Sequence, residues 1–349
     1  MNEEVRKTLE PRPLPALRSK PVKLTKSDLV SIQPLFPNRP FPTLITPKFQ
    51  GLNLAEWAAD NRDYVQALWE EKRALLFRDF DLGGISGFQQ VVEATADGPC
   101  LPYLDRSTPR KEYAPNIYCT TIYPPEYRIR LHNEGSYWTV HPQKAHFGCI
   151  TAPDTGGETP IGDMHAVYNR IDPEIRNEFE ARKWMLVRNY NYGMGLPWQE
   201  VYQTTDRGMV EAFCRENSVE FEWRDQDHLR TKQIRLPILQ HPRTGEQIWH
   251  NHAAFFHITT WEVGTREVLQ RTFGEDELPY NTFYGDGGAI TPDVIQHINE
   301  AYDAELVKFT WQEGDVHLID NIRLAHAREA FSGDRLILVA LTEPYIPLQ

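Results

Sequence analysis

Apolar side chains recur every three or four residues in LNLAEWAADNRDYVQALWEE, residues 52–71. Leu54, Trp57, Ala58, Asn61, Val65, Leu68 and Trp69 fall largely on one face, and that period predicts one amphipathic helix. A short strand, ALLFRDF (74–80), follows, then a second helix around FQQVVEATA (88–96). From about 115 to 165 the period shortens. NIYCTTIY, IRLHNEGSYW and HFGCITAP are strand-like runs broken by Pro and Gly. Asp172-Pro173-Glu174 reads as a capped helix start, closed before the strand WMLVRNY (184–190). Helices are predicted near 206–217, 264–273 and 291–304, the last opened by Thr291-Pro292-Asp293. Strands VEFEW and IRLPILQ lie between them. The C-terminal part returns to β: LVKFTW, the turn QEGD, VHLIDN and RLILVALTEP.

Residues 1–50 are proline-rich and aperiodic and predict an extended N-terminal arm. Residues 51–349 then read as a single domain with a helical insert at about 191–305. Strands at both ends, helices between and no internal repeat predict a mainly β fold with helical insertions. A sandwich or jelly roll flanked by helices fits better than a βαβ sheet.

The chain has 349 residues, an apolar fraction of 40% and nine tryptophans, enough for a packed core. A net charge of −12 argues against a nucleic-acid surface. The four scattered cysteines lack CxxC spacing and suit a reducing compartment. The charged, proline-rich start has no signal-peptide core, and no apolar run is of membrane-spanning length. The expectation is a cytoplasmic protein with no membrane or nucleic-acid partner.

No GxGxxG, GxxxxGK[ST], GxSxG or HExxH motif is present. Three histidine groupings remain: His132-x-Glu134, His141/His146 and His250-x-His252. An isolated pair of this kind arises by chance. HPQKAH reads as a turn with surface histidines. WHNHAAFFH (249–257) reads equally as pocket lining or as a half-buried strand. On a strand, residues i and i+2 share a face, so His132 and Glu134 could clamp one ion from one side. Two histidines and a carboxylate leave open positions suited to Fe(II) and oxygen chemistry. What singles out this pair is its downstream company: VHLIDN, then His326, then Arg335 opening the last strand.

LHNE, GGETPIGD, WHN…FFH, YGDGG and DN…HAR…F.G.R, in that order over roughly 105–345, resemble the taurine dioxygenase-like (TauD/TfdA) family of Fe(II)/2-oxoglutarate oxygenases. The chain looks closest to the amino-acid hydroxylases of the syringomycin aspartyl hydroxylase type. It departs from that pattern at Arg130, where a proline or small apolar residue is expected, and at His250, where an aromatic is common.

The resemblance implies a double-stranded β-helix (jelly roll) core flanked by helices. It implies Fe(II) held by His132, Glu134 and His326, with 2-oxoglutarate and O2 as cosubstrates. Thr159 and Arg335 match the residues that hold the far carboxylate of 2-oxoglutarate, and Gly156 and Gly157 let the backbone pass close by. Arg328 lies near substrate or cosubstrate, or serves a structural ion pair. Related halogenases place a small residue where Glu134 stands, so the carboxylate implies hydroxylation or a related oxidation. The implied substrate is a small molecule, an amino acid or derivative, free or tethered to a peptidyl carrier protein in natural-product synthesis. Candidate substrate contacts are Arg110, Asn116, Tyr118, Ser136, Trp138, Asn251, His252 and Phe255. Two other readings use the same residues: a zinc-dependent hydrolase, and a non-catalytic jelly-roll binding protein.

Overall fold

Ala74–Phe77 and Val316–Asp320 are buried along their whole length, as strands covered on both faces of a sheet must be. The computed structural model describes residues 28–273 and 277–347. Both strands lie inside an eight-stranded sheet. Its spatial order is Val30–Pro34, Thr43–Pro47, Ala74–Phe77, Val316–Asp320, His141–Thr151, Leu336–Tyr345, Ile117–Cys119, Glu112–Ala114. Side-chain alternation sorts the two faces. Leu75, Phe77, Val316 and Leu318 meet the helices Leu54–Asp60, Arg62–Lys72 and Gly84–Thr95 through Trp57, Trp69 and Phe88. Leu76, Phe147, Ile319, Ile337 and Val339 face the other way, onto Ile161 and Leu324. Those two belong to a second, three-stranded sheet of Ile129–His132, Leu324–Arg328 and Ile161–Asp163.

The small sheet fixes the site. Its antiparallel register sets His326 opposite His132 on one side and opposite Ile161 on the other. Directly opposed residues bring their side chains within reach of each other. The strand before it, Val316–Asp320, ends in a buried knot. Asp320 is fully buried and accepts from His241 Nε2 at 2.9 Å, Arg243 Nη2 at 2.9 Å and Arg73 Nη1 at 3.3 Å. It also accepts from the backbone N–H groups of Ile322 and Arg323. Asp320→Ala leaves these donors without their acid and is expected to cost about 3–5 kcal/mol, read as a lower urea midpoint.

Several expectations are corrected. Strand and helix take near-equal shares, about 31% and 28%, so the architecture is mixed α/β where a mainly β fold was expected. The cause is helices on the large sheet's outer face together with those of the insert. The insert is itself mixed. Trp184–Tyr190 pairs with Leu229–Arg235 and Tyr280–Tyr284, and Val219–Trp223 extends that sheet. Of the arm expected over 1–50, residues 1–27 lie outside the described residues. Residues 30–47 are instead two paired strands that join the large sheet next to Ala74–Phe77. The helix expected over 52–71 is two, parted at Asn61, whose buried side chain donates to the Trp57 carbonyl. LVKFTW forms only an isolated bridge, Val307 to Ile161, although Val307, Phe309 and Trp311 are buried.

HPQKAH is no surface turn. It opens the strand His141–Thr151, with Pro142 next to its end, where a proline is tolerated. His141 and His146 are buried, and burial pulls them down to about 4 and about 3.

Candidate metal centre

His132 closes the strand Ile129–His132, and Glu134 lies beyond it in a turn. Strand alternation therefore does not bring the pair together; Asn321 does. Its buried side chain accepts from the Glu134 N–H at 2.9 Å and donates to the Glu134 carbonyl at 3.0 Å and the Pro142 carbonyl at 2.9 Å. The turn needs a left-handed residue at Gly135 (φ 68°), where a Cβ would meet the Trp138 ring at 2.4 Å. His326 arrives from the opposed strand, its ring 4.5 Å from that of His132 and 4.8 Å from Phe147. One ligand atom from each of His132, Glu134 and His326 lies within 4.8 Å of the others. Among the described residues no other trio of such groups converges in this way.

The protonation states suit a divalent ion. Burial, and then His326, pull His132 down to about 3, so the imidazole is neutral at pH 7. Its Nδ1 is 2.8 Å from the Arg130 carbonyl and donates to it, which leaves the Nε2 lone pair free. Nδ1 of His326 is buried with no partner, and Nε2 is 3.5 Å from Glu134 Oε1. Burial would push Glu134 up, but Arg110 and then His326 hold it well below the ordinary carboxylate value. The donor set of two imidazoles and one carboxylate fits Fe(II) with open positions.

Beside this trio lies a cluster of guanidinium and hydroxyl groups. The cavity lined by His132, Glu134 and His326 also contains Thr120, Thr159, Arg328 and Arg335. Arg335 donates from Nε to the Gly157 carbonyl at 3.0 Å, from Nη1 to Thr120 at 3.1 Å and from Nη2 to Thr159 at 3.3 Å. No carboxylate lies within ion-pair distance of it among the described residues. Burial, and then Arg328, lower it only to about 10, so at pH 7 it is a cation with no acid in direct contact. Thr159 Oγ1 accepts from Arg335 and from Trp311 Nε1 at 3.0 Å. With both lone pairs used, its hydroxyl proton is left to donate outward. Gly156 and Gly157 both have φ 67°, and a Cβ on Gly156 would strike the Ala330 carbonyl at 2.1 Å. Trp311→Phe removes one donor from Thr159 and is expected to raise KM for 2-oxoglutarate roughly three- to tenfold, about 1 kcal/mol. Steady-state kinetics at saturating iron reads this.

The remaining candidates divide. Phe255 lies 4.8 Å and His252 5.6 Å from the His132 ring, and Ser136 bonds His252. His252 and Phe255 pack against His132, with Ser136 one step removed behind His252. The structure places four others elsewhere. Asn116 is the left-handed corner (φ 57°) between Glu112–Ala114 and Ile117–Cys119, donating to the Cys100 carbonyl. Tyr118 is packed in the core beside Tyr103 and bonds Asn116. Asn251 spends its amide on Pro237 and Ala253. Trp138 borders a separate cavity of about 300 Å³ with Leu101, Phe213 and Val219.

Arg328 lines the shared cavity, but its two Nη groups hold the carbonyls of Tyr123, Pro124 and Tyr127, so it anchors a loop. Arg110 turns from substrate toward the metal trio: Nη2 lies 2.7 Å from Glu134 Oε1. His250, one residue past the strand Gln247–Trp249, is buried against His141, 4.9 Å ring to ring. Sequence reasoning missed Tyr103, Trp311 and Asn321. Asn321 stands in the VHLIDN run and Trp311 in LVKFTW, while Tyr103 lies in an aperiodic stretch.

A sequence model of the taurine catabolism dioxygenase TauD, TfdA family matches residues 32–342. The chain is 37% identical over 318 residues to the dapdiamide synthesis protein DdaC of Enterobacter agglomerans, covering 91% of this chain and 95% of that one. It is 26% identical to a clavaminate synthase-like protein of Arabidopsis thaliana, covering 88% and 94%. The fold is similar to PvcB of Pseudomonas aeruginosa, with TM-score 0.51 at 17% identity over 91% and 93% of the two chains. Among the described residues no helix is long and apolar enough to cross a membrane. With the family model covering nearly the whole chain, the protein belongs to the TauD/TfdA family and is a 2-oxoglutarate-dependent dioxygenase that uses Fe(II), 2-oxoglutarate and O2.

Proposed function

We propose that His132, Glu134 and His326 ligate Fe(II), and that Arg335 and Thr159 hold the C5 carboxylate of 2-oxoglutarate. The reaction is oxidation of an unactivated C–H bond of an amino acid or amino-acid derivative, free or carrier-bound, in cytoplasmic secondary metabolism. The observation that carries this reading is Arg335: a half-buried guanidinium with no acid within ion-pair distance, in the same cavity as three converging ligand groups. A site built only for zinc hydrolysis gives such a cation no purpose, and a simple binding protein gives none to the trio. The two packed sheets support a double-stranded β-helix core. The relative in dapdiamide synthesis supports the natural-product setting, and four free cysteines support the compartment.

When bound, ferrous iron couples oxidative decarboxylation of 2-oxoglutarate by dioxygen to removal of hydrogen from a substrate C–H bond. The chain does the rest. Arg335 supplies charge and a fork of N–H donors to the far carboxylate. Thr159, braced by Trp311, adds its O–H. His252 and Phe255 stand beside His132 and position the C–H bond, with Ser136 bonded to His252. Glu134 fills the position that a halide takes in the related halogenases, which favours oxygen insertion or a related oxidation.

Anaerobic addition of Fe(II) and then 2-oxoglutarate is expected to give a visible charge-transfer absorption that shifts when the right amino acid enters. Aerobically, succinate is expected only when both iron and 2-oxoglutarate are present. Succinate formation independent of iron, or hydrolytic activity with zinc that survives Arg335→Ala, defeats the reading.

A further inference from the structure

Glu134 is held by more than charge. Tyr103 donates from its hydroxyl to Oε2 at 2.7 Å. Arg110 Nη2 reaches Oε1 at 2.7 Å and the Tyr103 hydroxyl oxygen at 2.8 Å. The three groups close a triangle, with the guanidinium 4.0 Å from the centre of the Tyr103 ring. All are buried: Tyr103 is 3% exposed, Arg110 8% and Glu134 3%. Trp138 packs edge-on against Tyr103 at 5.2 Å and keeps the ring from swinging away. Neither Tyr103 nor Arg110 is one of the three ligands.

The triangle treats the two carboxylate oxygens differently. Oε2 is tied to the Tyr103 phenol. Oε1 accepts Arg110 on one lone pair, and the same atom lies 3.5 Å from His326 Nε2. Each carboxylate oxygen has two lone-pair sites, so Oε1 keeps one lone pair free on the side of the imidazoles. A carboxylate released from Tyr103 could rotate and chelate an ion through both oxygens. That would consume one of the positions a chelating oxoacid and dioxygen need together.

We propose that Tyr103 and Arg110 are positioning residues that restrict Glu134 to one-oxygen ligation, so that three coordination positions stay open. The proposal rests on the metal assignment above. The phenol pins Oε2, the guanidinium sets the plane of the carboxylate, and the ion meets Oε1 alone. Supporting partners of this kind typically change metal affinity roughly 10- to 100-fold when removed.

The test uses the full chain loaded with Mn(II) in place of iron. Inner-sphere waters are counted from the broadening of the Mn(II) electron-spin resonance in ¹⁷O-enriched water, and affinity comes from the free-Mn(II) signal. Wild type is expected to hold about three waters before 2-oxoglutarate is added. Tyr103→Phe, which keeps the ring and removes only the hydroxyl, is expected to lose one water and to bind 2-oxoglutarate at least tenfold more weakly. Arg110→Gln is expected to change Mn(II) affinity roughly tenfold or more, with Arg110→Lys partly restoring it. A residue that merely stabilises the fold leaves the water count unchanged. If Arg110→Gln does not fold, the isosteric Tyr103→Phe still decides. Three waters and wild-type 2-oxoglutarate affinity in Tyr103→Phe overturn the clamp. Failure of wild type itself to bind Mn(II) overturns the metal assignment instead.

Discussion

Arg335→Gln is expected to raise KM for 2-oxoglutarate by roughly a hundredfold, about 3 kcal/mol, while Mn(II) affinity stays within a fewfold of wild type. The separation follows from geometry. Arg335 touches Gly157, Thr120 and Thr159 and none of the three ligand candidates. Its half-buried guanidinium has no acid within ion-pair distance, and on the proposed reading a diacid supplies the missing charge. Because burial lowers its pKa to about 10 from 12.5, the charged form is disfavoured by the fold at every pH below that value. Binding the carboxylate relieves that cost, so ligand affinity and the strain of the ligand-free cavity are linked.

Two further readouts follow. Wild type warms to a higher unfolding midpoint when Mn(II) and 2-oxoglutarate are added together, and Arg335→Gln loses most of the increment due to 2-oxoglutarate. Arg335→Lys keeps charge without the planar fork and is expected to recover only part of the affinity. An unchanged KM in Arg335→Gln removes the diacid from this cavity.

The convergence of the trio was more legible than the architecture around it. His132, Glu134 and His326 stood out through their order along the chain and the family resemblance, and Thr159 and Arg335 entered through that resemblance alone. The reason given for the first pair was nevertheless incomplete. Glu134 sits past the strand end, and a side-chain amide 187 residues later in sequence holds its peptide. Periodicity describes neighbours along the chain and carries no information about such a partner.

The same limit explains the substrate candidates. Asn116 and Asn251 looked like pocket amides, yet each donates to a backbone carbonyl more than ten residues away in sequence, Cys100 and Pro237, and Asn251 also accepts from the Ala253 N–H. The paired strands at 30–47 were hidden because Pro34, Pro37, Pro40 and Pro42 break the alternation that marks strands elsewhere. HPQKAH misled in the opposite sense. Its polar letters suggested solvent, but the strand lies between two others, and its histidines are buried neutral.

His326→Ala and Glu134→Ala are both expected to weaken Mn(II) binding by at least roughly a hundredfold, beyond the loss from removing a supporting partner alone, and to abolish succinate formation. Their effects on stability differ, and the difference tests the surroundings of the trio. His326 contributes its ring to a stack between His132 and Phe147, and its Nδ1 has no partner. Its removal leaves the Arg110–Glu134 pair intact. Glu134→Ala strips the acid from Arg110, whose side chain is only 2% exposed. Its Nε and Nη1 are already buried without partners. Leaving one charge of such a pair uncompensated costs about 3–5 kcal/mol. Glu134→Ala is therefore expected to have the lower urea midpoint of the two, and Glu134→Ala combined with Arg110→Met to recover much of the loss without recovering metal. Equal midpoints for the two single variants, or metal binding retained in His326→Ala, show that these side chains do not share one ion.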